Sequence, residues 1–215
     1  DVMADIHFAQ AGNGRDRRQV VHGETVARVD RQPRILRAAG RDPAWCIGGE
    51  SPDLPVAGAG AGPLVIEADE SDGTLALYTP ELAVITNIEF DHMEHFASVE
   101  AFEACFRTFA GQARRAVIYC GDDPRAARVC GGLSGAVSYG LAAGATFRAG
   151  DIVEKAGGSE FTVSGEDGPL GRVLLAVPGI HNVLNALAAT VAGLRLGVDF
   201  AIIQRALASV GLPRR

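Results

Sequence analysis

Two short apolar runs, Leu64–Ile66 and Leu82–Ile85, constrain the fold most, because each runs straight into a cluster of acids and amides. Glu67, Asp69, Glu70, Ser71 and Asp72 follow the first; Asn87, Glu89, Asp91 and His92 follow the second. Runs this short and this uniformly apolar read as strands buried on both faces, the signature of a parallel sheet. In open α/β sheets ligands gather at the carboxyl ends of the strands, where both polar clusters would lie as neighbours. Two such ends offering carboxylates and one imidazole can hold a hard cation, with Mg2+ carrying phosphates the best match. The expected fold class is α/β, a mostly parallel sheet with flanking helices.

The rest of the chain fits that frame unevenly. Asp1–Asp30 is the least readable stretch, where Gly12, Gly14 and the charges of Arg15–Arg18 show neither a helical nor a strand period and read as loop. A helix is expected from near Pro33, since proline is tolerated in a first helical turn but not in a helix interior. Ala44–Ile47 reads as a strand and Pro52–Pro63 as an aperiodic Pro/Gly/Ala loop. Val99–Ala110 has helical spacing, with its phenylalanines read as packing. Ala116–Cys120 and Val137–Gly140 are expected strands, and Asp122-Asp123-Pro124 a capped entry to a short helix ending at Cys130. Phe147–Val177 changes to strand alternation with a turn at Gly165–Pro169, an antiparallel annex. Helices are expected over His181–Leu196 and Phe200–Val210.

Composition narrows the function. A net charge of −6 argues against nucleic-acid or anionic-membrane partners held by bulk electrostatics. The four cysteines form no C-x-x-C pair and read as buried free thiols in a reducing cytoplasm. No apolar run approaches the roughly 18–20 residues of a membrane-spanning helix. The chain is expected to be one domain over residues 1–215, cytoplasmic in location.

The pairing of EADESDG (Glu67–Gly73) with TNIEFDHMEHF (Thr86–Phe96) resembles the central, P-loop-type ATP-binding domain of the Mur ligases of peptidoglycan precursor synthesis. Within that family it is most similar to the branch that adds alanine. The resemblance covers about Ile35 to Arg215, with a blurred match around His22. It implies ATP and Mg2+ as cofactors, and UDP-N-acetylmuramate and L-alanine joined through an acyl phosphate. It implies catalytic roles for Glu67, His92 and Asn87, with Glu67, His92 and the Thr25 hydroxyl on metal and Glu70, Ser71 and Asp72 toward the substrate. On residues alone, His92 can equally be a turn histidine bonded to Asp91 or Glu89. Residues Val20–Thr25 (VVHGET) lie where the family carries its phosphate loop, G-T-H-G-K-T. His22, Gly23 and Thr25 match, but Glu24 stands at the lysine position and would repel a triphosphate.

Pro178–Thr190 (PGIHNVLNALAAT) matches a family signature in which His181, Asn182 and Asn185 meet adenine. On residues alone, Asn182 can equally cap the helix and Asn185 lie exposed. Arg215 corresponds to a phosphate-contacting arginine, or with Arg214 to two solvated charges. The family also carries an N-terminal UDP-binding domain and a C-terminal amino-acid-binding domain, absent from these 215 residues, so the isolated chain is expected to be inactive. Alternatives are a non-catalytic nucleotide-binding or scaffold homologue, a sister ligase recycling a murein tripeptide, and a metal-dependent hydrolase.

Overall fold

Side chains leave each short strand alternately on opposite faces, and here both faces meet apolar partners. In β5 (Leu82–Ile85), Leu82 and Val84 enter one core while Ala83 and Ile85 enter the other. In β4 (Leu64–Ala68), Val65 parts in the same way from Ile66 and Ala68. The computed structural model describes residues 19–23 (by backbone), 29–48, 54–90 and 95–209. Helices α1 (Arg31–Ala38), α4 (Ile180–Arg195) and α5 (Phe200–Ala208) close the first core. The second is closed by a 3-10 turn (Thr74–Leu77) with α2 (Val99–Gly111) and α3 (Pro124–Cys130). Phe102, Phe106 and Phe109 of α2 are fully buried there, as the packing reading expected.

Between the helical layers runs one ten-stranded sheet in the order β10-β9-β8-β7-β6-β5-β1-β4-β2-β3. Its remaining strands are β1 (Gln19–Gly23), β2 (Ala44–Cys46), β3 (Ala57–Gly58), β6 (Ala116–Cys120) and β7 (Ala136–Gly140). They are joined by β8 (Phe147–Lys155), β9 (Gly158–Gly165) and β10 (Gly168–Leu175). Pairing is parallel from β2 through β8; β3, β9 and β10 are antiparallel to their neighbours. The mostly parallel sheet and the antiparallel annex are therefore both present, and β8 joins them into one surface.

Two expectations need correction. Gln19–Gly23 is not loop: it is a central strand, hydrogen-bonded to β4 on one side and β5 on the other. It follows that β4 and β5 are not neighbours but flank β1. The helix expected near Pro33 is present as α1, starting at Arg31 with Pro33 in its first turn.

Local chemistry explains several joints. Asp123 caps α3 by accepting the Ala126 N–H at 2.6 Å. Asp122 does not cap; it accepts the N–H groups of Leu141 (2.6 Å) and Ala142 (3.1 Å), tying the turn after β7. The Pro/Gly/Ala stretch is glycine-rich because it presses on its neighbours. A Cβ on Gly58 would stand 2.2 Å from Cζ2 of Trp45, whose Nε1–H donates to the Pro55 carbonyl at 2.9 Å. At the far edge, Gln204 of α5 donates to the Arg172 carbonyl of β10 at 2.7 Å. All four thiols are free; Cys105, Cys120 and Cys130 are buried and Cys46 is half-buried. Burial pushes the Cys130 thiol up to about 12. Among the described residues no helix is long and apolar enough to cross a membrane.

The start of α1 breaks the hydrophobic rule, since Asp30, Arg31 and Gln32 are all buried. Gln32 is fully buried, and neither its amide oxygen nor its nitrogen finds a partner. An orphaned buried polar group costs about 1–3 kcal/mol. Gln32→Leu, similar in volume, is expected to raise stability by about 2 kcal/mol, roughly 4–8 °C in Tm. Gly58→Ala is expected to lower it by about 1–3 kcal/mol through the Trp45 clash. Thermal unfolding of both variants beside the parent checks the pair.

Candidate functional site

The ladder around β1 assembles the site. His22 is in register with Glu67 of β4 and with Val84 of β5, and Gly23 with Ala68 and Ile85. The backbone of His22-Gly23 thus leaves the sheet between the acid turn after β4 and the amide turn after β5. Three separated pieces of sequence meet at one set of carboxyl strand ends, the expected place for a ligand. Glu24, Thr25, His92, Arg214 and Arg215 lie outside the described residues.

Glu67 is half-buried, and its Oε2 accepts the Gly48 N–H at 2.8 Å. A Cβ on Gly48 would stand 3.3 Å from Glu67 Oε1, so a residue without a side chain lets the backbone reach the carboxylate. Burial raises the carboxyl above the ordinary glutamate range; the Gly48 hydrogen bond opposes that shift and the nearby Asp30 charge adds to it. A buried carboxylate beside another acid favours either a proton or a cation.

The turn after Glu67 is largely self-contained. Asp69 accepts the Ser71 N–H at 2.8 Å, and Glu70 is buried at 3% exposure. Asp72 accepts both the N–H (2.9 Å) and the hydroxyl (2.6 Å) of Thr74. The Thr74 hydroxyl bond leads in holding the Asp72 carboxyl below its ordinary range, with a smaller contribution from His95. Gly73 adopts φ +75°, and a Cβ there would stand 3.0 Å from His95 Nε2. Asp72 therefore shapes the turn, while Ser71 lies partly exposed on it.

Asn87 follows β5, and its Oδ1 is buried without a hydrogen-bond partner. An unmet acceptor at this strand end suits a metal-bound water or a ligand hydroxyl. No group of three His, Cys, Asp or Glu converges among the described residues. Mg2+ keeps several waters and takes one or two carboxylates plus phosphates. Glu67 and Asn87 fit such an ion.

The first turn of α4 forms a second cluster. Gly179, at φ +109°, is the N-cap, so Asn182 is not. Asn182 is buried; its Oδ1 accepts from Arg31 Nη2 at 2.9 Å and its Nδ2 donates to the Pro178 carbonyl at 2.7 Å. Exposed His181 and half-buried Asn185 stand nearer solvent. Asp30 and Arg31 tie the two clusters together, the first close enough to raise Glu67, the second bonded to Asn182.

The sequence reading missed Asp30, Arg31, Gly48 and His95. Gly48 carried a signal, since Gly48-Gly49 directly follows a strand; the buried charges at α1 carried none. A cavity of about 410 Å³ also opens at the amino ends of β6 and β7, between Arg115, Glu166 and Arg195. The Glu166–Arg195 ion pair (2.5 Å) spans part of it, and none of the expected site residues lines it.

The profile of the Mur ligase middle domain matches residues 56–193. The chain is 42% identical over 189 residues to a UDP-N-acetylmuramate–L-alanine ligase of Kineococcus radiotolerans, covering 84% of the chain and 40% of that protein. It is 41% identical over 206 residues to the enzyme of the same name from Xylella fastidiosa, covering 90% of the chain and 42% of the relative. The chain thus spans about two fifths of these relatives' length. In fold it is similar to a UDP-N-acetylmuramate-alanine ligase from Thermotoga maritima, with TM-score 0.84 and 23% identity over 97% of this chain and 47% of that one. A UDP-N-acetylmuramate:L-alanyl-gamma-D-glutamyl-meso-diaminopimelate ligase from Neisseria meningitides superposes at TM-score 0.79 and 24% identity, over 93% of this chain and 68% of that one.

The Glu67 environment has a measurable sign. Its folded-state value is raised, so between the ordinary glutamate value and the raised one the native state holds a proton that the unfolded chain has released. Stability from this group is greatest below the ordinary glutamate value, falls as pH rises to the raised value, and is flat above it. Glu67→Gln keeps an acceptor for Gly48 and removes the charge. Without divalent cations, Tm measured against pH should lose that falling segment in the variant.

Proposed function

The chain belongs to the Mur ligase family through its middle domain, and from that premise we propose that it is the ATP-binding core of a cytoplasmic UDP-N-acetylmuramate–L-alanine ligase. The observation that carries the reading is the flanking of β1 by the Glu67 and Asn87 strand ends, with α4 tied to the same place through Asp30 and Arg31. A nucleotide lying there would have its phosphates over His22-Gly23 and its base toward His181 and Asn185.

In the proposed reaction a substrate carboxylate oxygen attacks the γ-phosphorus, an O–P bond forms, and the β–γ bridge breaks to release ADP. The amine nitrogen of alanine then attacks the acyl carbon, the C–N bond forms, phosphate leaves, and the amine gives up a proton. Most of the acceleration comes from positioning and charge neutralisation. Mg2+, when bound, screens the phosphate charges so that one anion can approach another.

The chain's own residues supply the frame. Glu67, oriented by Gly48, offers a carboxylate held in one direction, and Asn87 offers an unmet oxygen. His92 and Thr25 complete the metal set in this proposal, and Arg215 meets phosphate. The turn of Glu70, Ser71 and Asp72 orients the sugar substrate, with Asp72 exposed and Ser71 partly exposed on its surface. The identity of 41–42% to alanine-adding enzymes favours L-alanine over a recycled tripeptide.

Glu24 at the lysine position sets the test. Exchanging a repelling charge for an attracting one beside a polyanion is expected to strengthen binding at least about tenfold. Calorimetry with Mg2+-ATP should therefore show markedly tighter binding to Glu24→Lys than to the parent chain. Binding by neither would overturn the ATP reading and favour a scaffold homologue. Equal binding by both would remove the loop lysine from the argument and leave the rest of the site as sufficient.

A further inference from the structure

We infer that Arg31 sets the tautomer of His181, and so decides which hydrogen-bonding atom the first turn of α4 presents to a ligand. A guanidinium can only donate, so the Asn182 atom 2.9 Å from Arg31 Nη2 must be the carbonyl oxygen. The Asn182 NH2 then points the other way, where it donates to the Pro178 carbonyl at 2.7 Å. That same NH2 lies 3.0 Å from His181 Nε2. An amide NH2 cannot accept, so Nε2 must offer its lone pair and the ring proton sits on Nδ1.

The ring is also held in place. A Cβ on Gly179 would stand 2.8 Å from His181 Cε1 and 3.1 Å from Nδ1, so the imidazole lies over a bare glycine. His181 is exposed, whereas Arg31 is fully buried and Asn182 nearly so. Two buried polar groups thus fix the proton position of an exposed one. Arg31 is a positioning residue, and the first turn of α4 offers an Nδ1–H donor suited to an acceptor such as a purine ring nitrogen.

This divides the labour within the His181-Asn182 pair. Both ends of the Asn182 carboxamide are used inside the chain, so Asn182 acts by holding the turn and His181 and Asn185 remain for the base. The ligand half of the inference rests on the nucleotide reading above; the tautomer half does not.

The test is 15N NMR of the histidine-labelled, ligand-free chain at about pH 8, where an ordinary imidazole is neutral. Two-bond 15N–1H couplings distinguish the tautomers directly. The parent chain should show His181 protonated on Nδ1. Arg31→Met should release the amide and move the proton population toward Nε2, and Arg31→Lys, also donor-only, should keep it on Nδ1. Asn182→Asp retains a partner for Arg31 while placing an acceptor before the ring, and should invert the tautomer to Nε2–H. A parent chain protonated on Nε2 overturns the inference. So does an unchanged tautomer in Arg31→Met, which would mean that Pro178 alone orients the amide. A loss of Tm without a tautomer change would mark Arg31 as structural only.

Adding Mg2+-ATP separates the two halves. A shift of the His181 Nδ1 resonance, absent with inorganic tripolyphosphate, supports a base at this turn. With the tautomer confirmed, no shift at saturating ATP would overturn the placement of the base and leave the Arg31 relay standing.

Discussion

The site depends on one backbone constraint, the parallel ladders that hold β1 on both sides. A strand paired with two parallel neighbours has no freedom of register, since slipping by one residue would turn its side chains to the opposite core. Fixing His22 opposite Glu67 and Val84 fixes where the chain must leave the sheet. The carboxyl end of β1 therefore lies between an acidic turn and an amide turn.

The second organising feature is polar and buried. Asp30, Arg31 and Gln32 enter α1 where apolar residues would pack more cheaply. Two of the three work at long range, Asp30 as a charge near Glu67 and Arg31 as a donor to Asn182, 151 positions along the chain. Gln32 has no such role and leaves two amide atoms unmet. Adjacent residues thus range from connecting two clusters to lowering stability. A buried polar group is worth its desolvation only when its hydrogen-bonding capacity is met.

What was legible in the sequence follows from how local each signal is. The strands β4 and β5 were readable because their apolar runs are unbroken and their polar ends abrupt. Helix α4 was readable from an apolar face sixteen residues long. Strand β1 was not, because QVVHG contains only two consecutive apolar residues and its pairing comes wholly from strands 45 and more positions away. The burial at the onset of α1 was hidden for the opposite reason, since charged residues there contradict it. At the site, Glu67 and Asn87 were legible as residue types at strand ends. The Gly48 bond to Glu67 and the Arg31 bond to Asn182 were not, because tertiary folding alone brings those partners together. Asn182 shows the limit most plainly: its place was found from a motif, and its partners were not.

The bond from Gln204 to the Arg172 carbonyl bears on how the sheet ends. An outermost strand with free peptide groups is a template onto which another chain can add a strand. On β10 that role is blunted: a side chain from α5 occupies one carbonyl, and Phe200 packs over Gly171. At the opposite border β3 is two residues long, too short to nucleate a ladder. A ten-stranded sheet would otherwise offer two long borders for intermolecular pairing. Among the described residues, one border is guarded by a helix and the other is only two residues long.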